Sequence, residues 1–275
     1  MRYRTYLEHE LGKRIPENAR LPSGYHLIGH VILLDVDSSL TDFLLDIGEL
    51  SLAYERRAQS VLIREGPTSG RERKPSYRLV TGSPNTETLH IENQVCFLLD
   101  PVKVTFSGGN VAERIHMGRI VNQGERVVDM FACVGQFGLH MAKRGGAEVI
   151  CIEINPEAFH YLEENVRLNG LTDRVQCILG DCREEVPEGW ADRVVMGYLD
   201  GTCAYLPYAL RSLRSRGGVI HMHTAIPMYE RERVGSLIES VSEEIGFSAC
   251  YDFRKIKNYA PGISHLVYDI ELVNL

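Results

Sequence analysis

Hydrophobic and polar positions change their rhythm near the middle of this chain. Before about residue 106 the apolar runs are short. Residues 1–20 have an amphipathic, helical pattern that ends near Pro16. Val31 to Val36 is an apolar, β-branched run between polar turn residues and predicts a strand. Shorter strand-like runs follow at Tyr77 to Thr81, Thr88 to Glu92, Cys96 to Leu99 and Val102 to Phe106. This half reads as a small β-rich α+β unit.

After Ser107-Gly108-Gly109-Asn110 the pattern lengthens. Val111 to Ile120 is helical in character. Strand signals then alternate with helix signals. The strands are Arg126–Met130, Glu148–Ile152, Val175–Leu179, Asp192–Met196 and Gly218–His223. The helices are Gly135–Lys143, Pro156–Leu168, Tyr205–Leu213 and Met228–Ile245. Such alternation predicts βαβ units and a doubly wound, mostly parallel sheet. Two successive strands near Ser248–Phe253 and Ser264–Leu272 predict an antiparallel edge hairpin, for seven strands in all. The expected domains are 1–106 and 107–275.

Composition narrows the class. With 44% hydrophobic and 24% charged residues, a chain of 275 can bury a core. It has no apolar run long enough to span a bilayer, and its start is polar, so the expected location is the cytoplasm. The seven cysteines are scattered without C-x-x-C spacing, which disfavours a disulfide framework, a zinc site and an iron–sulfur cluster. A net charge of −7 requires any nucleic-acid contact to be local. Candidate basic clusters are Arg71, Arg73 and Lys74 in an exposed loop; Arg211, Arg214 and Arg216; and Arg254, Lys255 and Lys257. The plainer reading of each is solvated surface charge.

Four segments carry candidate chemistry. Val127 to Gly138 is an apolar strand, an acid (Asp129), a tight turn with Gly135, then a helix. Open α/β sheets bind ligands at such carboxyl ends. About twenty residues on, a second strand ends in Glu153, the spacing at which a carboxylate meets ribose hydroxyls. Asp181, directly after the third strand, suits an adenine amino group, with the Cys182 amide donating to the ring; capping of the next turn is the plainer alternative. The loop after the fourth strand reads Met196-Gly197-Tyr198. His221 and His223 share one strand face, so both can line a pocket or pack as structural groups.

Together these segments resemble the tRNA-modifying transferases that act on the purine 3′ of the anticodon. Two branches share the D-M-F-A-x-V-G turn, here Asp129 to Gly135. The guanine-N1 methyltransferases carry N-L-P in the fourth segment. The wybutosine-pathway 3-amino-3-carboxypropyltransferases carry M-G-Y, as this chain does. Phe106 to Asn110 with Glu113-Arg114, Ile220 to His223, and Tyr259 to His265 are also similar to the second branch. The likeness covers about residues 75 to 273 and departs at Cys133, where the family usually has Gly.

The resemblance implies a class I S-adenosylmethionine-dependent methyltransferase-like Rossmann fold, with S-adenosylmethionine as donor and tRNA-Phe as partner. It implies cofactor contacts at Ser107, Arg114, Glu153, Asp181 and the Cys182 backbone, in a pocket lined by Asp129, Phe131 and Gly135. Arg114 is a candidate for holding the moving carboxylate. Glu125 is a candidate catalytic carboxylate, or else a surface turn residue. No metal is expected, and a monomer is. The competing functions are guanine-N1 methylation and a non-catalytic tRNA-binding scaffold.

Overall fold

The computed structural model describes residues 1–16 and 18–275. The chain forms two compact units, Met1–Gly109 and Asn110–Leu275, dividing three residues beyond the expected boundary.

In the first unit, helix α1 (Tyr3–Leu11) precedes strands β1 (His26–Ile28) and β2 (Val31–Leu34). Helix α2 (Leu44–Tyr54) then leads to β3 (Ser60–Arg64) and β4 (Tyr77–Gly82). The sheet order is β1-β2-β3-β4, with only β2 and β3 parallel. Tyr3, Leu7 and Leu11 of α1 and Ile47 of α2 bury themselves against Ile32, Leu34, Val61 and Ile63. Strands β5 (Thr88–Glu92) and β6 (Val95–Leu99) form a separate hairpin. Its two turn residues, Asn93 and Gln94, both have positive φ, as a tight hairpin turn requires. The sequence pattern misses β1, α2 and β3. The run Val102 to Phe106 forms no strand; its start is a turn in which the Val102 amide donates to Asp100.

The second unit opens with α3 (Val111–Ile120), then β7 (Arg126–Asp129), α4 (Gly138–Gly145), β8 (Glu148–Glu153), α5 (Pro156–Leu168) and β9 (Val175–Leu179). The short α6 (Cys182–Glu185), β10 (Arg193–Met196), α7 (Leu206–Ser212), β11 (Gly217–Pro227) and α8 (Arg231–Ile245) follow. The hairpin β12 (Phe247–Ala260) and β13 (Ile263–Asn274) ends the chain.

The seven strands lie in the order β12-β13-β11-β10-β7-β8-β9. Strands β11 to β9 in that order are parallel, and β13 and β12 add antiparallel edges. This is the expected class I methyltransferase-like Rossmann architecture. Val128, Ile150, Val194, Ile220 and Tyr268 face α7 and α8 in one apolar layer. Because strand side chains alternate, Asp129, Cys151, Val195, His221 and Asp269 face the other way. The order reverses between β7 and β10, which opens a crevice at their carboxyl ends. Among the described residues, no helix is long and apolar enough to cross a membrane.

Candidate active site

The crevice is walled by the turn after β7. Asp129 is fully buried and accepts hydrogen bonds from the Gly138 amide (3.0 Å) and the Phe131 amide (3.4 Å). It therefore braces the turn from beneath, with no exposed surface of its own. Burial pushes its carboxyl up to about 7, and the charge of Glu153 adds to the shift. Gly135 has φ +93°, and a Cβ there would lie 2.6 Å from Leu139 Cγ. Its missing side chain makes room for the helix, so it can meet a ligand only through its backbone.

Cys133 holds the left-handed conformation, φ 51°, without being glycine. For an L-residue that conformation costs roughly 1–2 kcal/mol. The Cys133 amide donates to Glu153 Oε2 at 2.6 Å, and the Asn155 amide donates to Oε1 at 2.7 Å. Glu153 thus ties the first turn to the second. Its carboxyl is raised by burial despite these amides, and it stands at the carboxyl end of β8 in register with Leu179. A carboxylate has about four acceptor sites, so the amides of Cys133, Ile154 and Asn155 do not exhaust it.

Asp181 takes the plainer role foreseen for it and more. It caps α6 by accepting from the Arg183 amide (2.9 Å), and its Oδ2 pairs with Arg183 Nη2 at 2.7 Å. Cys182 is buried behind it. Phe131, half-buried, stacks on Tyr198 with ring centroids 5.2 Å apart and meets Tyr205 edge-on at 5.1 Å. These rings make an aromatic wall at the mouth of β10.

The far end of the crevice is polar and buried. Arg114 on α3 has no exposed surface, and its Nη1 donates to Gln136 Oε1 at 3.2 Å. Lys257 on β12 is held below the ordinary lysine range by burial and by the charge of Arg114. A carbon placed on Gly197 would lie 3.2 Å from the Phe137 ring, and that ring sits 5.0 Å from the ring of His223. His223 Nδ1 in turn meets His265 Nε2 at 2.9 Å. Phe137, Lys257 and His265 each fall in a stretch singled out in the sequence, but none is read there as a site residue. The strand pairing of β11 with β13 brings His265 to the site, and only that pairing reveals it.

Glu125 lies elsewhere. It precedes β7, at the amino edge of the sheet, whereas the crevice is at the carboxyl edge. Its Oε1 accepts from Arg193 Nε (2.5 Å), and its Oε2 accepts from the Asn122 amide (2.8 Å). The expected catalytic carboxylate is therefore a structural ion-pair partner. Ser107 precedes the division and belongs to the first unit, where it is half-buried. Two basic clusters are partly engaged in ion pairs: half-buried Arg214 and exposed Arg216 both bind Asp192, at 2.8 and 2.7 Å, and half-buried Arg254 binds Glu113 and Asp269.

This arrangement suits an adenosine-bearing ligand: acids at the ends of β8 and β9, aromatic rings beside them, and a buried cationic end at Arg114 and Lys257. Comparison with known proteins agrees. The family described as the TRM5/TYW2 methyltransferase domain matches residues 88–249, and the TYW2 N-terminal domain matches residues 6–86. The chain is 37% identical to the tRNA(Phe) (4-demethylwyosine(37)-C(7)) aminocarboxypropyltransferase of Pyrococcus horikoshii, over 95% of this chain and 94% of that protein. It is 31% identical to tRNA (guanine(37)-N(1))-methyltransferase Trm5b of Pyrococcus abyssi, over 94% of this chain and 78% of the relative. The crystal structure of Pyrococcus horikoshii TYW2 in complex with MeSAdo superposes with a TM-score of 0.83 at 34% identity, covering 98% of this chain and 99% of that one. With one domain model spanning more than half its length and a relative this similar along nearly all of it, the chain belongs to the TRM5/TYW2 family.

Proposed function

We propose that this protein transfers the 3-amino-3-carboxypropyl group of S-adenosylmethionine to a tricyclic guanosine derivative of the 4-demethylwyosine type, 3′ of the anticodon in tRNA-Phe, with release of methylthioadenosine. The observation that carries this reading is Gly197. It stands where the methyltransferase branch has the Asn of N-L-P, and a Cβ added there would lie 3.2 Å from the Phe137 ring, which would have to shift to admit it. The extent of similarity to aminocarboxypropyltransferases from Pyrococcus horikoshii (37%) and Methanocaldococcus jannaschii (36%) supports the same branch.

Bound in the crevice, S-adenosylmethionine supplies a sulfonium centre whose three carbon neighbours are all electrophilic. The task of the protein is to choose among them by position. Glu153 is placed to accept from ribose hydroxyls, and Asp181 and the Cys182 amide to meet adenine. The Phe131–Tyr198 stack offers an apolar face beside them. At the other end Arg114 is placed to hold the carboxylate of the transferring chain through paired N–H donors. Lys257 adds positive charge there. The family resemblance also assigns a cofactor contact to Ser107. The loop of Arg71, Arg73 and Lys74 would meet tRNA phosphates. It is a tight turn bridged from Ser69 to Lys74, with Lys74 paired to Glu72 at 2.8 Å.

The test is mass spectrometry of nucleosides from tRNA incubated with S-adenosylmethionine, using tRNA that carries the tricyclic base and unmodified tRNA in parallel. The expected outcome is an added aminocarboxypropyl group with methylthioadenosine released. A methyl group with adenosylhomocysteine released would assign the chain to the guanine-N1 branch instead.

A further inference from the structure

The buried pair His223–His265 is not used by the binding scheme above. The residues are 1% and 0% exposed. They lie on the same face of β11 and β13, on neighbouring strands, because His223 pairs with Val267 and His265 with Ala225. His223 Nδ1 and His265 Nε2 are bonded to each other, and the two outer nitrogens, His223 Nε2 and His265 Nδ1, have no partner among the described residues. Buried polar groups are seldom left unpaired in this way. The pair sits at the reacting end of the crevice. Met222, just before His223, is level with Met196, just before Gly197, and the Phe137 ring touches both His223 and the Gly197 position.

Resting on the proposed reaction, we infer that His223 and His265 form the proton-accepting relay that removes the proton from the nucleophilic carbon of the tricyclic base. The tautomer logic supports this. Two neutral imidazoles sharing one central hydrogen bond hold two ring protons between them. One proton occupies the centre. Whichever ring donates it, one outer nitrogen carries the other proton and the opposite outer nitrogen is bare. A proton taken up at the bare end leaves one positive charge shared by the two rings across the central hydrogen bond.

The step balances as follows. The base carbon forms a C–C bond to the γ-carbon of the transferring chain. The C–S bond breaks and its electron pair stays on sulfur, which becomes a neutral thioether. The base carbon then carries both its hydrogen and the positive charge of the ring. Its proton goes to the outer nitrogen of the pair, and the C–H electron pair restores the aromatic ring. A carbon acid of that kind is strong, so a weakly basic imidazole is sufficient.

The surroundings keep the pair neutral before the step. Burial, then the charge of Lys257, brings His265 down to about 4, while Glu113 acts in the opposite direction. Burial also holds His223 well below its ordinary range, with His265, His221 and Arg254 adding to that effect and Asp269 opposing it.

The experiment has two readouts. In the first, ¹⁵N-histidine NMR of the full-length protein without ligand should show both rings neutral at pH 6, with one protonated and one bare outer nitrogen. A charged ring at pH 6 overturns the inference. In the second, single-turnover transfer is timed on tRNA bearing hydrogen or deuterium at the reacting carbon. The wild-type rate should be nearly the same for both. His223→Asn and His265→Asn should slow transfer by about 100-fold or more and show a clear preference for hydrogen over deuterium, with S-adenosylmethionine affinity and melting temperature retained. Wild-type rates in the variants overturn the relay, and so does equal slowing with both isotopes, which is the mark of lost positioning. If a variant does not fold, the other variant and the NMR readout still decide. If wild-type protein makes no aminocarboxypropyl product, the proposed reaction fails, while the NMR readout still reports on the pair.

Discussion

Arg254 of β12 grips Glu113 of α3 through two hydrogen bonds of 2.9 Å, Nη1 to Oε2 and Nη2 to Oε1. The same guanidinium binds Asp269 through Nε at 2.5 Å. Asp269 accepts from His221 Nδ1 (2.6 Å), and the far nitrogen of that ring meets Arg193 Nη1 (2.5 Å). Arg193 ends on Glu125. A buried chain of charge thus crosses the sheet from its amino edge to the helix that presents Arg114. Asp269 is held well below the ordinary carboxylate range by His221 and Arg254, which outweigh its burial.

Arg254→Gln should break this chain at its best-paired link. The Glu113 side chain is 3% exposed, so its carboxylate would be left buried without its counter-ion. Removing one partner of such a pair costs about 3–5 kcal/mol. The expected outcome is that loss in urea unfolding, with weakened S-adenosylmethionine binding by calorimetry because α3 no longer holds Arg114 firmly. Adding Glu113→Gln should recover part of the stability.

The pH dependence of stability should carry the mark of Asp129. Its carboxyl is raised in the folded state to about 7, above its unfolded value, so folding favours the proton. That contribution is present in full below about pH 4 and is lost as pH rises through about 7. Glu153 shifts in the same direction. In urea unfolding at pH 5 and pH 8, Asp129→Asn should lose less stability between the two than wild type does. An equal loss would place the slope on other groups.

Gly197→Asn restores the side chain of the methyltransferase branch. Its Cβ would crowd the Phe137 ring at 3.2 Å and press that ring toward His223. Misplacing a reacting group by about 1 Å can cost about 100-fold. Transfer of the aminocarboxypropyl group should fall by about that factor in single-turnover assays. Affinity for S-adenosylmethionine, which rests on Glu153 and Asp181 in this scheme, should change far less.

The linear chain already contained the alternation of β7 to β11 with their helices, and the acids that end β8 and β9. These features are local: strand and helix periods, turn residues and spacing within a βαβ unit are written in consecutive residues. Local preference alone does not account for Cys133, where a cysteine occupies a left-handed turn position that its own preferences oppose. The turn is held by Glu153, twenty residues away. The family resemblance offered Asp129 as a pocket group and Glu125 as a catalytic carboxylate or else a surface turn residue. Burial turned one into a brace, and the direction of β7 put the other at the wrong end of the sheet. His265, Lys257 and Arg254 stand in segments that the sequence singles out, but what they meet is decided by the antiparallel pairing of β11, β13 and β12. Which side chains meet across those strands depends on register. Register is set by packing of the whole sheet, and no segment carries it alone.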